Sequence, residues 1–305
     1  MLKVTLKQLR YFVTVAEHQS ISAAARKLHI SQPAVTHAIG LLEDHFQLQL
    51  FLRHHAQGVS LTTSGQDLLV RARSLLAHAN ELETNVKELG QGLHGRLEIG
   101  CFSTLAPMYM PPLITQFLQL HPQVDLRLYE ANQDELNEGL HTGRFDLAFM
   151  YTLALGPDLE AQVLAEPMPR ILLDPNHELA HQESISLAQL VDLPMVLLDV
   201  APSRDYFTSL FRNQGLEPWI RYRSPSFETV RGLVGHGMGY SVLVTQPMAD
   251  VDYNGNPLCL RPIKEEVEPG YISMTWLEAK RPTRLMQAFQ DFAKNHFAVS
   301  EKINE

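Results

Sequence analysis

Two polar residues one helical turn apart, Gln32 and Thr36, carry the clearest chemical signal in the sequence. A glutamine amide can form two hydrogen bonds to one adenine, and a threonine can reach a base edge, a phosphate or a thymine methyl group. The apolar residues of the same segment, Val35, Ile39 and Leu42, recur at helical spacing and must face inward. The segment therefore predicts a helix that buries one side and offers base-reading groups on the other.

The residues around this helix predict a helix-turn-helix. Ser22 can cap a first short helix, and Ser31 can cap the second, with Pro33 in a first turn where its missing N–H costs nothing. These two helix starts leave room only for one short helix and a turn. The alternative is an ordinary helical hairpin with a solvated polar face. The residues predicted to contact DNA are Ser22, Lys27, Ser31, Gln32, Pro33, Thr36, His37 and Arg53.

The flanking segments predict the rest of a small head over residues 1–63. A first helix runs from about Leu6 to Glu17, and its apolar face consists of Leu6, Leu9, Phe12, Val13 and Ala16. Two short strands, Leu50 to Arg53 and Val59 to Leu61, enclose a His-Ala-Gln-Gly turn, which is typical of a wing. Arg53 on this wing is placed to meet a phosphate.

One long helix is predicted from Ser64 to Leu89, within a linker of residues 64–92 that ends in a glycine-rich hinge. Its apolar residues alternate by four and three, as in a coiled coil: Leu68, Ala72, Leu75, Ala79, Leu82, Val86 and Leu89. Such a stripe needs a partner helix, and a homodimer would give a DNA reader two heads for two half-sites. The alternative is packing against another domain of the same chain.

Beyond the hinge, strands and helices alternate, which predicts two α/β lobes over residues 93–305. The first lobe, residues 93–163 and 269–305, begins with strands near 96–101, 123–130 and 146–151 and helices near 111–120 and 133–142. The second lobe, residues 164–268, contains predicted helices near 186–192, 206–211 and 227–239. A cleft between such lobes would bind a small molecule near strand carboxyl ends and helix amino-terminal ends.

Charge and composition favour a protein in which one end meets phosphates. The net charge is −9, yet residues 1–60 hold six Lys and Arg against three Asp and Glu. No apolar run is long enough to cross a bilayer, and the amino-terminal residues lack the apolar stretch of a signal peptide. Two cysteines do not form a disulfide framework, so the cytoplasm is the expected location.

The head resembles that of LysR-type transcriptional regulators through the pattern AAxxLxxSQPAV…LE…LFxR…LTxxG, which begins at Ala24 and ends at Gly65. In the second half, the segments Gly95–Gly100, Gly143–Ala148 and Val234–Leu243 also fit this family. The resemblance implies an α/β chain with an all-α winged helix-turn-helix head, a dimerising linker helix and a two-lobed effector domain like periplasmic binding proteins. It also implies homodimers or homotetramers that bend double-stranded promoter DNA, respond to a small-molecule co-inducer and have RNA polymerase as a further candidate partner.

Three departures from the family distinguish this chain. The family usually has serine and arginine where Thr36 and His37 stand, basic residues where Gly40 and Leu41 stand, and a glycine near Gln47. The recognition helix is therefore poor in fixed positive charge. We expect hydrogen bonds from Gln32 and Thr36 to carry more of the specificity, while Lys27 and Arg53 supply affinity for the backbone.

The resemblance also points to an effector site between the lobes. Its candidate residues are Phe102, Ser103, Thr104, Ala131, Met150, Pro202, Ser203, Ser226 and Phe227. Two hydroxyls beside a helix amino terminus would favour a carboxylate, and Phe102 and Phe227 could enclose an aromatic ring. The alternative for Ser103 and Ser226 is that each serine merely caps a helix.

Two competing functions remain open. An enzyme on the two-lobed domain is disfavoured because the sequence has no GxSxG, P-loop, HExxH or metal-spaced Cys/His motif, so no catalytic or metal-binding residue and no cofactor is expected. A redox-sensing regulator would use Cys101 and Cys259. Both cysteines lie in apolar strand contexts, which are typical of inert buried thiols.

Overall fold

The computed structural model describes residues 4–54, 58–87, 92–152, 155–245 and 247–304. Within these ranges, the head contains the helices α1 (Leu6–His18), α2 (Ile21–Leu28) and α3 (Gln32–Phe46). The strands β1 (Phe51–His54) and β2 (Gly58–Leu61) pair antiparallel as a hairpin. The predicted helix-turn-helix and the two wing strands are confirmed, whereas the wing residues 55–57 lie outside the described residues.

Ser20, and not Ser22, caps the second helix, so that prediction is wrong. The Ser20 hydroxyl accepts a hydrogen bond from the Ala23 amide at 3.3 Å, and Ser22 lies within α2. The cause is the left-handed backbone of Gln19 (φ 47°), which ends α1 and places Ser20 in the extended conformation that a cap requires. Ser31 occupies the cap position of α3, but its side chain makes no capping hydrogen bond.

The head core forms where α1, α3 and the wing meet. Leu9, Phe12 and Val13 are buried as predicted, and the Phe12 ring lies 5.3 Å from that of Phe51 in β1. Leu6, predicted to face inward, is exposed, because it is the first residue of α1 and lies outside this cluster. The helices therefore enclose one apolar cluster that fixes the orientation of α3.

The linker helix α4 (Thr63–Lys87) divides its apolar stripe between two environments. Near its start, Leu68 and Ala72 pack against the head core of the same chain. Farther along, the side chains of Leu75 and Leu82 are 50% and 66% exposed. Only the second part of the stripe is thus available to another molecule; the Val86 side chain and Leu89 are outside the described residues.

Lobe I consists of a five-stranded sheet and three helices. Its strands are β3 (Gly95–Phe102), β4 (Val124–Ala131), β5 (Leu147–Tyr151), β6 (Leu159–Ala165) and β12 (Ile272–Leu277), in the order β4-β3-β5-β12-β6. β3 is parallel to β4 and β5, as the predicted βαβαβ order requires, while β12 is antiparallel to β5 and β6. The covering helices are α5 (Ala106–Leu120), α6 (Gln133–His141) and α9 (Arg284–Asn304).

Helix α5 begins at Ala106, five residues before the predicted start at Pro111. Pro111 and Pro112 lie inside the helix, where each lacks the N–H that would donate to the preceding turn. Met110, Leu113 and Phe117 are fully buried in the lobe I core at helical spacing. This burial maintains the helix through both prolines, which local propensity alone would place at a helix start.

Lobe II is built on two smaller sheets. Its strands are β7 (Arg170–Leu173), β8 (Met195–Leu198), β9 (Ile220–Ser224), β10 (Ser241–Leu243) and β11 (Cys259–Pro262), and its helices are α7 (Ser203–Arg212) and α8 (Phe227–Gly235). β7 pairs antiparallel with β10 and β11, and β8 pairs parallel with β9. Among the described residues, no helix combines the length and apolar character needed to cross a membrane.

The helix predicted near residues 186–192 is instead a single 3₁₀ turn, Leu187–Gln189. The Glu265 carboxylate accepts hydrogen bonds from the Ser186 hydroxyl and the Leu187 amide, which fixes the turn at its start. Pro194 then disfavours helical backbone at the residue before it. The contact with Glu265, far along the chain, therefore outweighs the local preference for a helix near residues 186–192.

Candidate DNA-contacting and effector-binding sites

The two faces of α3 differ as the sequence predicts. Val35, Ile39 and Leu42 are buried in the head core. On the opposite side, Gln32, Pro33 and His37 are exposed, together with Ser31 at the helix start. The half-buried Thr36 donates its hydroxyl proton to the Gln32 carbonyl at 3.1 Å, so its hydroxyl oxygen keeps the capacity to accept. The start of α3 thus presents amide, hydroxyl and imidazole groups on the side opposite its buried apolar face.

The wing is attached to α3 through Glu43, a role that the sequence analysis did not assign. One Glu43 carboxylate oxygen accepts hydrogen bonds from the amides of Leu50 at 2.8 Å and Phe51 at 3.2 Å. These amides precede and begin β1, the strand that carries the exposed Arg53. Glu43 therefore fixes the position of the wing arginine relative to the exposed start of α3. An acidic residue near a helix end, followed by a short strand, was the available signal.

Lys27 and Ser22 flank this surface on α2. Lys27 is exposed in the last turn of α2, and Ser22 is half-buried in the first turn. Lys27 and Arg53 supply two fixed positive charges on elements that pack beside α3. Charges in such positions are suited to contact the phosphate backbone of DNA.

In lobe I, the carboxyl ends of β3 and β4 bring Ser103 beside Ala131. The Ser103 amide donates to the Ala131 carbonyl at 3.3 Å, and the Ser103 side chain is exposed. The cap position of α5 is Leu105, so Ser103 does not cap that helix. The Ser103 hydroxyl therefore lies at the sheet edge and does not cap α5. The alternative that this serine merely caps a helix is thereby removed.

Ser226 behaves differently from Ser103. Its hydroxyl accepts from the Thr229 amide at 3.3 Å and caps α8, as the alternative interpretation held. At the start of α7 in the same lobe, Ser203 is buried behind the half-buried Pro202. Of these two predicted serines of lobe II, Ser226 is therefore exposed but occupied as a cap, and Ser203 is buried.

The predicted enclosure of an aromatic ring by Phe102 and Phe227 is wrong. Phe102 is fully buried, and its ring packs edge-on against Tyr151 at 5.5 Å. The guanidinium group of Arg231 lies 5.7 Å from the centre of the Phe227 ring. Met150, another candidate effector residue, is also fully buried in the lobe I core. These side chains are occupied by packing within their own lobes.

A buried tyrosine connects the two lobes, and the sequence analysis missed it. The Tyr151 hydroxyl interacts with the side chains of Thr104 in lobe I and Thr245 after β10 in lobe II. Burial raises the pKa of Tyr151 well above 10, so the hydroxyl stays protonated at neutral pH. Thr104, a predicted effector residue, is itself buried. It therefore supports the cleft edge through Tyr151.

Comparison with known proteins decides the family. Residues 6–66 match the bacterial regulatory helix-turn-helix model of the lysR family, and residues 90–298 match the LysR substrate binding domain. The chain belongs to the LysR family. It is accordingly a DNA-binding transcriptional regulator with an effector-binding domain, the reading expected from the sequence.

Full-length relatives agree with this assignment. The uncharacterised HTH-type transcriptional regulator YvbU of Bacillus subtilis is 30% identical over 267 residues, 87% of this chain and 88% of YvbU. The crystal structure of HinK, a LysR family transcriptional regulator from Pseudomonas aeruginosa, is 41% identical with a TM-score of 0.66, covering 97% of this chain and 99% of HinK. A full-length OxyR variant from P. aeruginosa is 25% identical with a TM-score of 0.75, covering 95% and 97%.

The two cysteines of this LysR-family regulator are buried in different lobes. Cys101 lies in the lobe I core and Cys259 in the lobe II core. Burial raises the pKa of both thiols. The pKa of Cys101 lies well above its usual value, because the negative charge of Glu130 adds to the effect of burial there. Because the thiolate is the reactive form, both environments suppress oxidation at neutral pH. Among the described residues, no group of three or more His, Cys, Asp or Glu could hold a metal ion.

We therefore expect both thiols of the native LysR-family protein to react slowly with a disulfide reagent at neutral pH. Their raised pKa values leave little thiolate, and burial blocks access. Absorbance of the released thiol measures the rate, and the protein unfolded in guanidinium serves as the control, in which both cysteines should react quickly. Rapid reaction of either native thiol, or loss of regulation in a Cys101→Ser, Cys259→Ser double variant, would favour the redox alternative.

Proposed function

We propose that this regulator reads promoter DNA through the start of α3, acts as a homodimer joined along α4, and changes state when a small carboxylate binds between its lobes. The observation that carries the DNA-contacting part is the exposure of Gln32, Pro33 and His37 over a fully apolar buried face. A helix held in this way can enter the major groove with its first turns against the base edges.

Specificity and affinity come from different residues in this proposal. Gln32 pairs with adenine, while Thr36 contributes an acceptor and a methyl group to neighbouring bases. Lys27 and the wing residue Arg53 contact phosphates and set the register of the helix. His37 adds an exposed imidazole to the same surface. Ser22 and Ser31 contact the backbone at the ends of the motif.

Replacing Gln32 by alanine is expected to weaken binding to the cognate promoter by about 1–3 kcal/mol and to relax the preference for one base pair. Arg53→Gln should instead weaken binding to all sequences and lower the salt-dependence slope by about one. Titration of labelled promoter fragments at several salt concentrations measures both effects. Gln66→Ala, on the exposed surface of α4, is the matched control. A footprint unchanged in the Gln32→Ala, Thr36→Ala double variant would contradict the proposed reading surface.

The exposed part of the α4 stripe supports dimerisation. Leu75 and Leu82 lie seven residues apart, and both are at least half exposed on a helix whose first turns already pack on the head. Two such helices side by side would bury both leucines and place two heads for paired half-sites. A tetramer would add a second contact between dimers elsewhere.

A charge in the stripe should dissociate the assembly. Leu82→Lys places an ammonium group where the partner helix would pack, and burial of an unpaired charge is strongly unfavourable. Sedimentation velocity at micromolar concentration should show the wild-type chain as a dimer or tetramer and this variant as a smaller species. Gln66→Lys on the same helix is the control and should leave the assembly intact. A monomeric wild-type chain would contradict the proposal.

The cleft-edge geometry supports an anionic effector. Ser103 is exposed beside Ala131, and the next two helices, α5 and α6, begin within three residues of them. Hydroxyl groups and helix amino-terminal amides together favour a carboxylate. The Tyr151 hydroxyl, which interacts with Thr104 and Thr245, lies between the two lobes nearby and would respond to their closure.

The relatives named above are regulators, which supports a regulatory and not a catalytic use of this cleft. A protein that binds the chromosome acts in the compartment that contains it, so we place this chain in the cytoplasm. Neither step requires a metal or an organic cofactor.

A panel of small carboxylates, each paired with its neutral amide, tests the effector proposal by thermal unfolding. A ligand at 100 times its Kd stabilises the folded state by about 2.7 kcal/mol, which raises the unfolding temperature. We expect stabilisation by at least one carboxylate and not by its amide, and a smaller effect in Ser103→Ala. Ser209→Ala on α7, whose hydroxyl donates to the Tyr206 carbonyl, is the control. Equal stabilisation by acid and amide would contradict an anion site.

A further inference from the structure

One arginine of the linker helix joins the head to lobe I. The Arg73 side chain is only 18% exposed, and one of its terminal nitrogens lies 3.0 Å from the Glu17 carboxylate on α1. The other terminal nitrogen donates a hydrogen bond to the Thr142 carbonyl at the end of α6. A guanidinium group offers donors in a fixed planar arrangement, so it can hold both acceptors at once.

The Thr142 carbonyl is a suitable acceptor for a cation. Thr142 is the cap residue directly after α6, and its amide already donates to the Glu138 carbonyl. Carbonyl groups at the end of a helix receive no hydrogen bond from an N–H group of the same helix, and the helix dipole makes this end negative. Arg73 thus supplies both the missing donor and the favourable charge.

Lobe I approaches the linker helix closely at the next residue. Gly143 has a positive φ of 65°, and a Cβ atom there would lie 3.3 Å from Arg73 Cδ and 3.8 Å from Val70 Cα. The absence of a side chain therefore permits both the turn after α6 and the close approach of α4. Both the residue type and the backbone conformation at Gly143 therefore suit this contact.

Beside the contact, the head and lobe I face each other across an open cleft of about 1350 Å³. Arg10 and Leu61 line it from the head, and Arg127 and Lys280 line it from lobe I. Arg73 lines the same cleft and joins its two sides through Glu17 and Thr142. A bridge of this kind can open without disrupting the core of either domain.

We propose that Arg73 is a latch that holds the head and linker helix against lobe I, and that its release lets the head change position relative to the effector domain. Helix α6 connects the latch to the cleft edge: its other end begins after Asn132, next to Ala131 and Ser103. A displacement of α6 from the cleft side would move Thr142 away from Arg73. This coupling rests on the proposed effector site, whereas the latch itself does not.

Amide hydrogen exchange of the full-length protein, without DNA or added ligand, tests the latch. In Arg73→Gln we expect exchange of residues 139–145 to rise about tenfold, because a charge-assisted hydrogen bond and the cover of α4 are lost together. The radius of gyration from X-ray scattering should increase as well. Arg71→Gln is the matched control: Arg71 lies on the same helix, is 73% exposed and pairs only locally with Asp67. It should change neither quantity.

Glu17→Gln provides the second variant. It keeps Arg73 but removes the charge that orients the guanidinium group, so a smaller rise in exchange at residues 139–145 is expected. If Arg73→Gln raises exchange throughout the chain because it unfolds, Glu17→Gln decides. Unchanged exchange and scattering in the folded variants would overturn the latch, whatever the carboxylate panel shows. Failure of that panel alongside a positive exchange result would count against the effector site only.

Discussion

The burial of Val35, Ile39 and Leu42 beneath α1 is the interaction on which the DNA-contacting surface depends. These side chains fix the rotation of α3 about its own axis, and that rotation alone decides which residues face outward. Gln32, Pro33 and His37 are exposed because the opposite side of the helix is held in the core. Base-reading groups can therefore be exchanged among such proteins while the apolar positions continue to hold the helix.

Glu43 extends this constraint from α3 to the wing. A carboxylate that accepts two strand amides connects the far end of the recognition helix to β1. The positions of Gln32 and Arg53 are then coupled through one rigid body, even though one contacts bases and the other a phosphate in the proposed complex. Rigid support of this kind reduces the entropy lost on binding.

In the effector domain, the lobe I sheet likewise fixes the positions of polar groups. Parallel strands end at one edge of the lobe I sheet, and helices begin there, so polar groups far apart in sequence become neighbours. Ser103 and Ala131 meet in this way through a backbone hydrogen bond. Helix α6 then runs from that edge to Arg73, so a local change at the cleft and the position of the head share one rigid element.

Periodicity and short motifs in the sequence determined the helix-turn-helix, the inward face of α3, the wing strands and the βαβαβ order, because these depend on spacing within a few residues. The tertiary structure alone decided where α5 begins, since burial of Met110, Leu113 and Phe117 outweighs two prolines. It likewise decided that Phe102 faces a core and that Arg73 meets Thr142, 69 residues away. Such contacts have no local signature, because they arise only when separate elements pack together.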